Sequence, residues 1–222
     1  MSLLIAIEGI DGSGKGTQAG RLHQKCQEQG ITSSLIGFPR YDQTLFGKSI
    51  GDFLNGRFGQ LDEVNPFLAS LLYAGDRFES RDHLFKMIES SQVVIFDRYI
   101  PSNIAHQGAK LSGNERAEFI QWIEQIEYEI YRMPRLDLAI LLDLPADEAQ
   151  KLVAEKQARS YTEKVADLQE ADQAYLANVR QVYLQLAELN HHWRKIDSLH
   201  ENQLRSIEEI GNEIWSHVSA LL

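Results

Sequence analysis

The sequence predicts an α/β fold, a parallel sheet with helices on both faces. Three observations carry this prediction. Short apolar runs alternate with segments of helical period along the whole chain. Three of the runs, residues 3–7, 93–96 and 138–142, are continuously apolar, as strands covered on both faces are. The first run ends in a glycine-rich turn, and three later ones end in Asp97, Asp143 and Asp197.

Each element has its own reason. Residues 3–7 form the first apolar strand, and residues 9–14 the turn. Residues 15–29 carry a helical pattern closed by Gly30, which supplies the left-handed backbone that helix ends favour. Residues 33–38 make a second strand, stopped by Pro39, which lacks an amide hydrogen. Residues 44–54 and 64–88 read as helices, with Asn65-Pro66 at the start of the longer one. A third strand, 93–96, runs into Asp97, and residues 114–132 are helical up to Pro134. Residues 138–142 are the fourth strand and 146–157 a helix. The polar stretch 156–172 is a candidate lid. Residues 174–189 are helical, 193–196 form a short strand, and 203–218 close the chain as a helix. With no repeat, low-complexity tract or linker, residues 1–222 are expected to form a single domain.

Composition narrows the function. Twenty-two Lys and Arg against 32 Asp and Glu give a formal net charge of -10. That argues against a nucleic-acid polymer as partner, since such binders neutralise many phosphates. It leaves room for small anions met by a local cluster of cations. The single cysteine, Cys26, rules out an intrachain disulfide and suits a reducing compartment. No apolar run approaches the roughly 20 residues needed to span a bilayer. A cytoplasmic protein without membrane attachment is expected.

The turn between first strand and first helix reads Gly9-Ile10-Asp11-Gly12-Ser13-Gly14-Lys15-Gly16-Thr17. Gly-x-x-x-x-Gly-Lys in that place is a phosphate-binding loop. Glycines let backbone N–H groups converge on phosphate oxygens, and the helix N-terminus adds partial positive charge. Lys15 supplies a full charge for the β and γ phosphates of ATP. The position after the lysine, usually Ser or Thr and a Mg²⁺ ligand, is Gly16 here. Mg²⁺ is then held by Thr17 or largely through water. No Asn-Lys-x-Asp guanine motif exists, which excludes a signalling GTPase. A helicase or motor would be longer and carry basic patches. A small kinase of nucleotides or metabolites is left.

On the acceptor side, Asp97 ends its strand as a Mg²⁺-organising carboxylate does, and Arg98 follows it. Phe38-Pro39-Arg40 ends the second strand at the same sheet edge, where ligands bind in this fold class. Arg77 lies on a helix beside Asp76, and on local grounds an exposed ion pair competes with a binding role. A nucleoside monophosphate is already mostly dianionic at neutral pH and needs no general base. Its kinase needs cations in line, so the lack of a His–Asp or Ser–His pair fits.

These motifs resemble those of thymidylate kinases. The residues that carry the resemblance are Ile7-Glu8-Gly9-Ile10-Asp11-Gly12-Ser13-Gly14-Lys15, Phe38-Pro39-Arg40, Leu71-Leu72-Tyr73-Ala74-Gly75-Asp76-Arg77, Phe96-Asp97-Arg98-Tyr99 with Ser102-Asn103, Gln107-Gly108 and Leu142-Asp143-Leu144. They occur in the family's order and cover nearly the whole chain. The resemblance implies a P-loop NTPase fold with strand order 2-3-1-4-5, phosphorylation of dTMP to dTDP by ATP and Mg²⁺, and a homodimer. It implies that Lys15 and the loop hold ATP phosphates, and that Asp11 contacts the acceptor's 3′-hydroxyl. Arg40 and Arg98 would bind the acceptor phosphate, Tyr73 would stack on thymine, and Arg77 would donate to a thymine carbonyl. Ser102, Asn103 and Gln107 would line the base pocket, and Asp97 would serve Mg²⁺.

The loop lacks the arginine that some members carry, so the resemblance moves that charge to the lid. Arg159 is the first candidate there, in Arg159-Ser160-Tyr161, with Lys156 and Lys164 in reserve and Tyr161 packing near the acceptor. His106 stands where the family usually has Tyr or Phe, a ring that crowds the ribose 2′ position; the smaller polar ring leaves the sugar choice open. Gly14-Lys15-Gly16-Thr17-Gln18 also resembles adenylate kinases, but their second such motif lies further downstream. The alternatives are another monophosphate kinase, a nucleotide-sensing module without turnover, and a deoxynucleoside kinase using a loop-flanking carboxylate as base, for which Glu8 is poorly placed because it precedes the loop inside the strand end.

Overall fold

The structure, a computed structural model, describes residues 2–154, 169 and 172–222. Five parallel strands form its sheet: β1 (Leu3–Glu8), β2 (Ser33–Gly37), β3 (Val93–Asp97), β4 (Leu138–Asp143) and β5 (Trp193–Asp197). Their order is β2-β3-β1-β4-β5, as expected. The central strand β1 pairs Ile5 with Ile95 on one side and Leu138 on the other. Ile5, Ala6, Ile7, Val93, Val94, Ile95 and Phe96 have no exposed surface, because helices cover both faces.

The helices are α1 (Lys15–Glu28), α2 (Leu45–Leu54), α3 (Pro66–Glu79), α4 (Arg81–Ser90), α5 (Ile100–Gly108), α6 (Gly113–Glu124), α7 (Ala146–Ala154), α8 (Gln173–Leu189) and α9 (Ile207–Ser219). On one face α1 and α9 pack Ala19, Leu22, Ile210 and Ile214 against β1 and β4. On the other, α3 to α6 pack Leu84, Ile100, Ile104 and Phe119 against β3. Most elements lie where the sequence places them, within one or two residues.

Four expectations need correction. The segment 64–88 is two helices, broken at Ser80, whose backbone (φ -86°, ψ -1°) ends α3 and starts α4. The segment 114–132 leaves α-helical geometry at Gln125 and becomes a π-helical turn, Gln125–Ile130. Residues 203–204 belong to no helix. They pair as β7 (Gln203–Leu204) with β6 (Leu199–His200), around a turn whose Glu201 and Asn202 have positive φ. The last helix starts only at Ile207, where Ser206 and Glu209 form a reciprocal capping box. Finally, α5 is absent from the sequence reading altogether. It is buried on all sides, so no amphipathic period marks it. The helix expected over 146–157 is described as far as Ala154, and most of the candidate lid lies outside the described residues.

Candidate active site

The carboxyl ends of β1, β2 and β3 open onto a cavity of about 350 Å³. Asp11, Gly12, Gly14, Lys15 and Gly16 form its phosphate-loop wall. The loop needs glycine at Gly12 for two reasons: its φ is 87°, and an added Cβ would sit 2.3 Å from the carbonyl oxygen of Ala149 on α7. Lys15 is buried, and its Nζ donates to the Ile10 carbonyl at 2.8 Å. Burial, then repulsion from Arg98, lowers its pKa to about 7 against the pull of Asp11, Asp97 and Glu8.

Asp97 closes β3 and Arg98 follows with φ 68°, a conformation that costs a side-chain-bearing residue about 1–2 kcal/mol. The turn aims its guanidinium back at the loop. Nη2 donates to Asp11 Oδ1 at 2.6 Å. Nη1 donates to Gly9 O (3.2 Å), Ser102 Oγ (3.1 Å) and His106 Nε2 (3.3 Å). Burial disfavours the guanidinium's charge, but Asp11, Tyr183, Asp97 and Glu8 together outweigh it and raise the pKa.

Behind Arg98 lies a buried polar network. Glu8 has no exposed surface and accepts from the Tyr99 amide (2.8 Å), Ser102 Oγ (2.6 Å) and Tyr183 OH (3.0 Å). Burial raises its pKa. His106 accepts from Arg98, a donor-only group, so its Nε2 carries the lone pair. The Tyr175 hydroxyl donates to the His106 carbonyl at 2.8 Å and so receives from Nδ1–H at 3.2 Å. Burial, then Arg98, lowers the pKa of His106 to about 3, which keeps it neutral.

The far end of the cavity is lined by Phe38, Tyr41, Tyr73, Arg77, Asn103 and Gln107. Asn103 Nδ2 donates to Ser70 O at 3.0 Å, but its Oδ1 and both amide atoms of Gln107 are buried without a protein partner. Such atoms mark a place built to meet a ligand. Arg77 is only 2% exposed and pairs with Glu127, not Asp76, so the exposed-pair alternative fails. Asp76 instead accepts from the Arg40 amide at 2.9 Å.

The structure thus gathers Asp11, Lys15, Gly16, Tyr73, Arg77, Asp97, Arg98, Ser102, Asn103, His106 and Gln107 around one cavity. Gly9 and Ser13, within the loop, do not line the cavity, and Thr17 is exposed on α1. Arg40 does not line the cavity: its guanidinium donates to Ser80 Oγ (3.0 Å) and to Gln43. Arg159, Tyr161, Lys156 and Lys164 lie outside the described residues. Sequence reasoning passes over Glu127, Tyr175 and Tyr183, whose partners are remote in the chain, and it reads Glu8 as misplaced for chemistry.

Among the described residues no cluster of three His, Cys, Asp or Glu could hold a metal ion. A Cβ on Gly16 would lie 3.0 Å from Asp97 Oδ2, so that carboxylate stands over the first turn of α1 beside Lys15. One carboxylate next to a phosphate site suits Mg²⁺ arriving with ATP, since Mg²⁺ keeps much of its water and binds mainly substrate phosphates. Among the described residues no helix is long and apolar enough to cross a membrane.

A phosphate loop, a carboxylate and a buried arginine at one sheet edge define a P-loop nucleotide kinase. A family model described as thymidylate kinase matches residues 7–214. A probable thymidylate kinase of Thermococcus gammatolerans is 34% identical over 219 residues, 96% of this chain and 94% of that protein. A thymidylate kinase of Mycobacterium tuberculosis is 31% identical over 183 residues, 80% and 85% of the two chains. The solved thymidylate kinase of Candida albicans superposes with a TM-score of 0.75 at 25% identity, covering 99% and 92%. The chain belongs to the thymidylate kinase family.

Proposed function

We propose that the chain transfers the γ-phosphoryl group of ATP to dTMP, giving dTDP and ADP. The observation that carries the acceptor reading is the set of buried amide atoms without a protein partner, Asn103 Oδ1 and both of Gln107, beside Tyr73 and Arg77. They offer a planar base hydrogen bonds and a stacking face. Nearer the loop, Arg98 holds the acceptor phosphate in line with the γ-phosphate cradled by Gly12, Gly14 and Lys15. An acceptor phosphate oxygen attacks the γ-phosphorus as the bond to the β-phosphate oxygen breaks. Arg98 and Lys15 hold charge at the two ends of that displacement. In this reading Tyr161 completes the acceptor site, Arg40 joins it by turning its guanidinium away from Ser80 and Gln43, and Arg159 brings a cation from the lid, about residues 156–172. Mg²⁺ would be held by Asp97 and through water or Thr17, and would supply neutralisation of phosphate charge. Residues 1–222 act as one domain. A homodimer draws on exposed apolar side chains such as Leu45, Leu68 and Phe78, and the buried free Cys26 suits the cytoplasm.

Glu8 is poorly placed to serve a deoxynucleoside kinase, because its oxygens are engaged by Tyr99, Ser102 and Tyr183 and it does not line the cavity. Coupled measurement of ADP release over dTMP, dUMP, UMP, dCMP, AMP and thymidine tests the proposal. Turnover is expected to be highest with dTMP. Fastest turnover with AMP or thymidine would overturn the assignment, and tight ATP binding without turnover of any acceptor would favour a sensor.

Lys15 adds a pH signature. Phosphates of ATP raise its pKa from about 7, so binding takes up protons wherever the free protein holds Lys15 neutral. From about pH 7.5 to about pH 9, up to one proton is expected to enter per ATP, and affinity to fall with pH at up to about tenfold per unit. Calorimetry in buffers of different ionisation enthalpy reads the uptake; a binding heat that ignores the buffer contradicts it.

A further inference from the structure

We infer that Glu127, on the π-helical turn, is a positioning residue that fixes the donor edge of Arg77 and thereby sets the preference for a base bearing a carbonyl. The inference rests on reading the cavity as the dTMP site. Arg77 Nε donates to Glu127 Oε1 at 3.0 Å and Oε2 at 3.1 Å, and Nη2 donates to Oε1. The carboxylate has no exposed surface, and Arg77, only 2% exposed, lines the cavity. Glu127 therefore grips one edge of the guanidinium and leaves the N–H groups of the other for whatever enters.

The neighbouring groups make that edge decisive. Asn103 and Gln107 are amides, and an amide has both donor and acceptor atoms to present. Arg77 has donors only. It accepts no alternative pattern, so a base must bring an acceptor to it. A 4-oxo-pyrimidine does so. A 4-amino-pyrimidine sets N–H against N–H and leaves both buried without partners, which is how polar sites discriminate most strongly.

The helix is shaped to deliver the carboxylate. Beyond α6 the chain widens into Gln125–Ile130, with the Tyr131 amide donating to Ile126 O, five residues back, at 2.8 Å. The fully buried positions Phe119, Ile123 and Glu127 recur every four residues and face the same interior. Inserted wide turns of this kind often mark functional sites.

The test compares Glu127→Gln with the wild-type enzyme. Glutamine keeps the shape, loses the charge, and sets an NH₂ where an acceptor stood. The expected result is a rise of about tenfold or more in KM for dTMP, an unchanged KM for ATP, and a fall of about tenfold or more in the dTMP-over-dCMP ratio of kcat/KM. Glu127→Asp, which keeps the charge at a shorter reach, is expected to retain more of the ratio, and it carries the test if the glutamine variant does not fold. A folded Glu127→Gln with the wild-type ratio, or an Asp variant with unchanged KM and ratio, overturns the inference. So does an equal loss for both acceptors with a raised KM for ATP, the mark of a merely structural pair. A wild-type enzyme without preference for dTMP overturns the proposed function, and this inference with it. A wild-type preference that Glu127→Gln preserves overturns this inference alone.

Discussion

Arg98→Ala is expected to lower kcat/KM for dTMP by about a hundredfold to ten-thousandfold and to leave KM for ATP nearly unchanged. The range follows from two lost charge-assisted hydrogen bonds to phosphate at about 1.5–3 kcal/mol each. Steady-state kinetics with each substrate varied in turn reads both effects. A loss shared equally between acceptor and ATP would remove Arg98 from the acceptor site. Arg98→Gly sharpens the test. Its activity loss is expected to match that of alanine, yet it is expected to be the more stable variant in denaturant unfolding. The reason is the positive φ of 68°, which alanine tolerates at a cost of about 1–2 kcal/mol and glycine adopts freely. Equal stabilities would mean that the backbone relaxes there once the guanidinium's partners are gone.

Gly12→Ala is expected to be the more damaging change for the fold. The φ of 87° adds strain, and the new methyl would stand 2.3 Å from Ala149 O and 2.9 Å from Ala149 C. Both neighbours are backbone, so either the loop or α7 must move. A loss of about 3 kcal/mol or more in unfolding free energy is expected, with weakened ATP binding. Gly14→Ala is the control. Its φ is 88°, but nothing lies within 4 Å of the added carbon, so only about 1–2 kcal/mol of backbone strain is expected. Equal losses at the two positions would show that the contact with α7 carries no weight.

Much of this was legible in the sequence because it is local. A phosphate loop needs glycines and a lysine within a few residues, and a buried strand needs an unbroken apolar run. Those requirements place β1, β3, β4, the loop, Asp97 and Arg98, whereas β2 and β5, at the sheet's edges, carry broken apolar patterns. The dTMP assignment came from resemblance over several motifs, which composition alone could not supply. What escaped is long-range or pattern-free. Glu127 lies 50 residues from Arg77, and Tyr183 lies 175 from Glu8, so no local spacing announces either pair. Helix α5, buried on every side, has no polar stripe to reveal its period. The break at Ser80 is equally silent. Its hydroxyl accepts from Arg40, a tertiary contact that a residue-by-residue propensity does not contain.

The Arg98–Asp11 pair has a further consequence, for salt. A bare arginine in a cleft gathers anions from solution, and a ligand must displace them. Arg98 carries its counter-ion within the protein. In the proposed reaction an arriving phosphate would exchange with a carboxylate that stays behind, and Asp11 would then accept from the sugar hydroxyl. Acceptor affinity should therefore vary little with ionic strength, because one exchange of partners inside the cleft replaces a release of ions to the bulk.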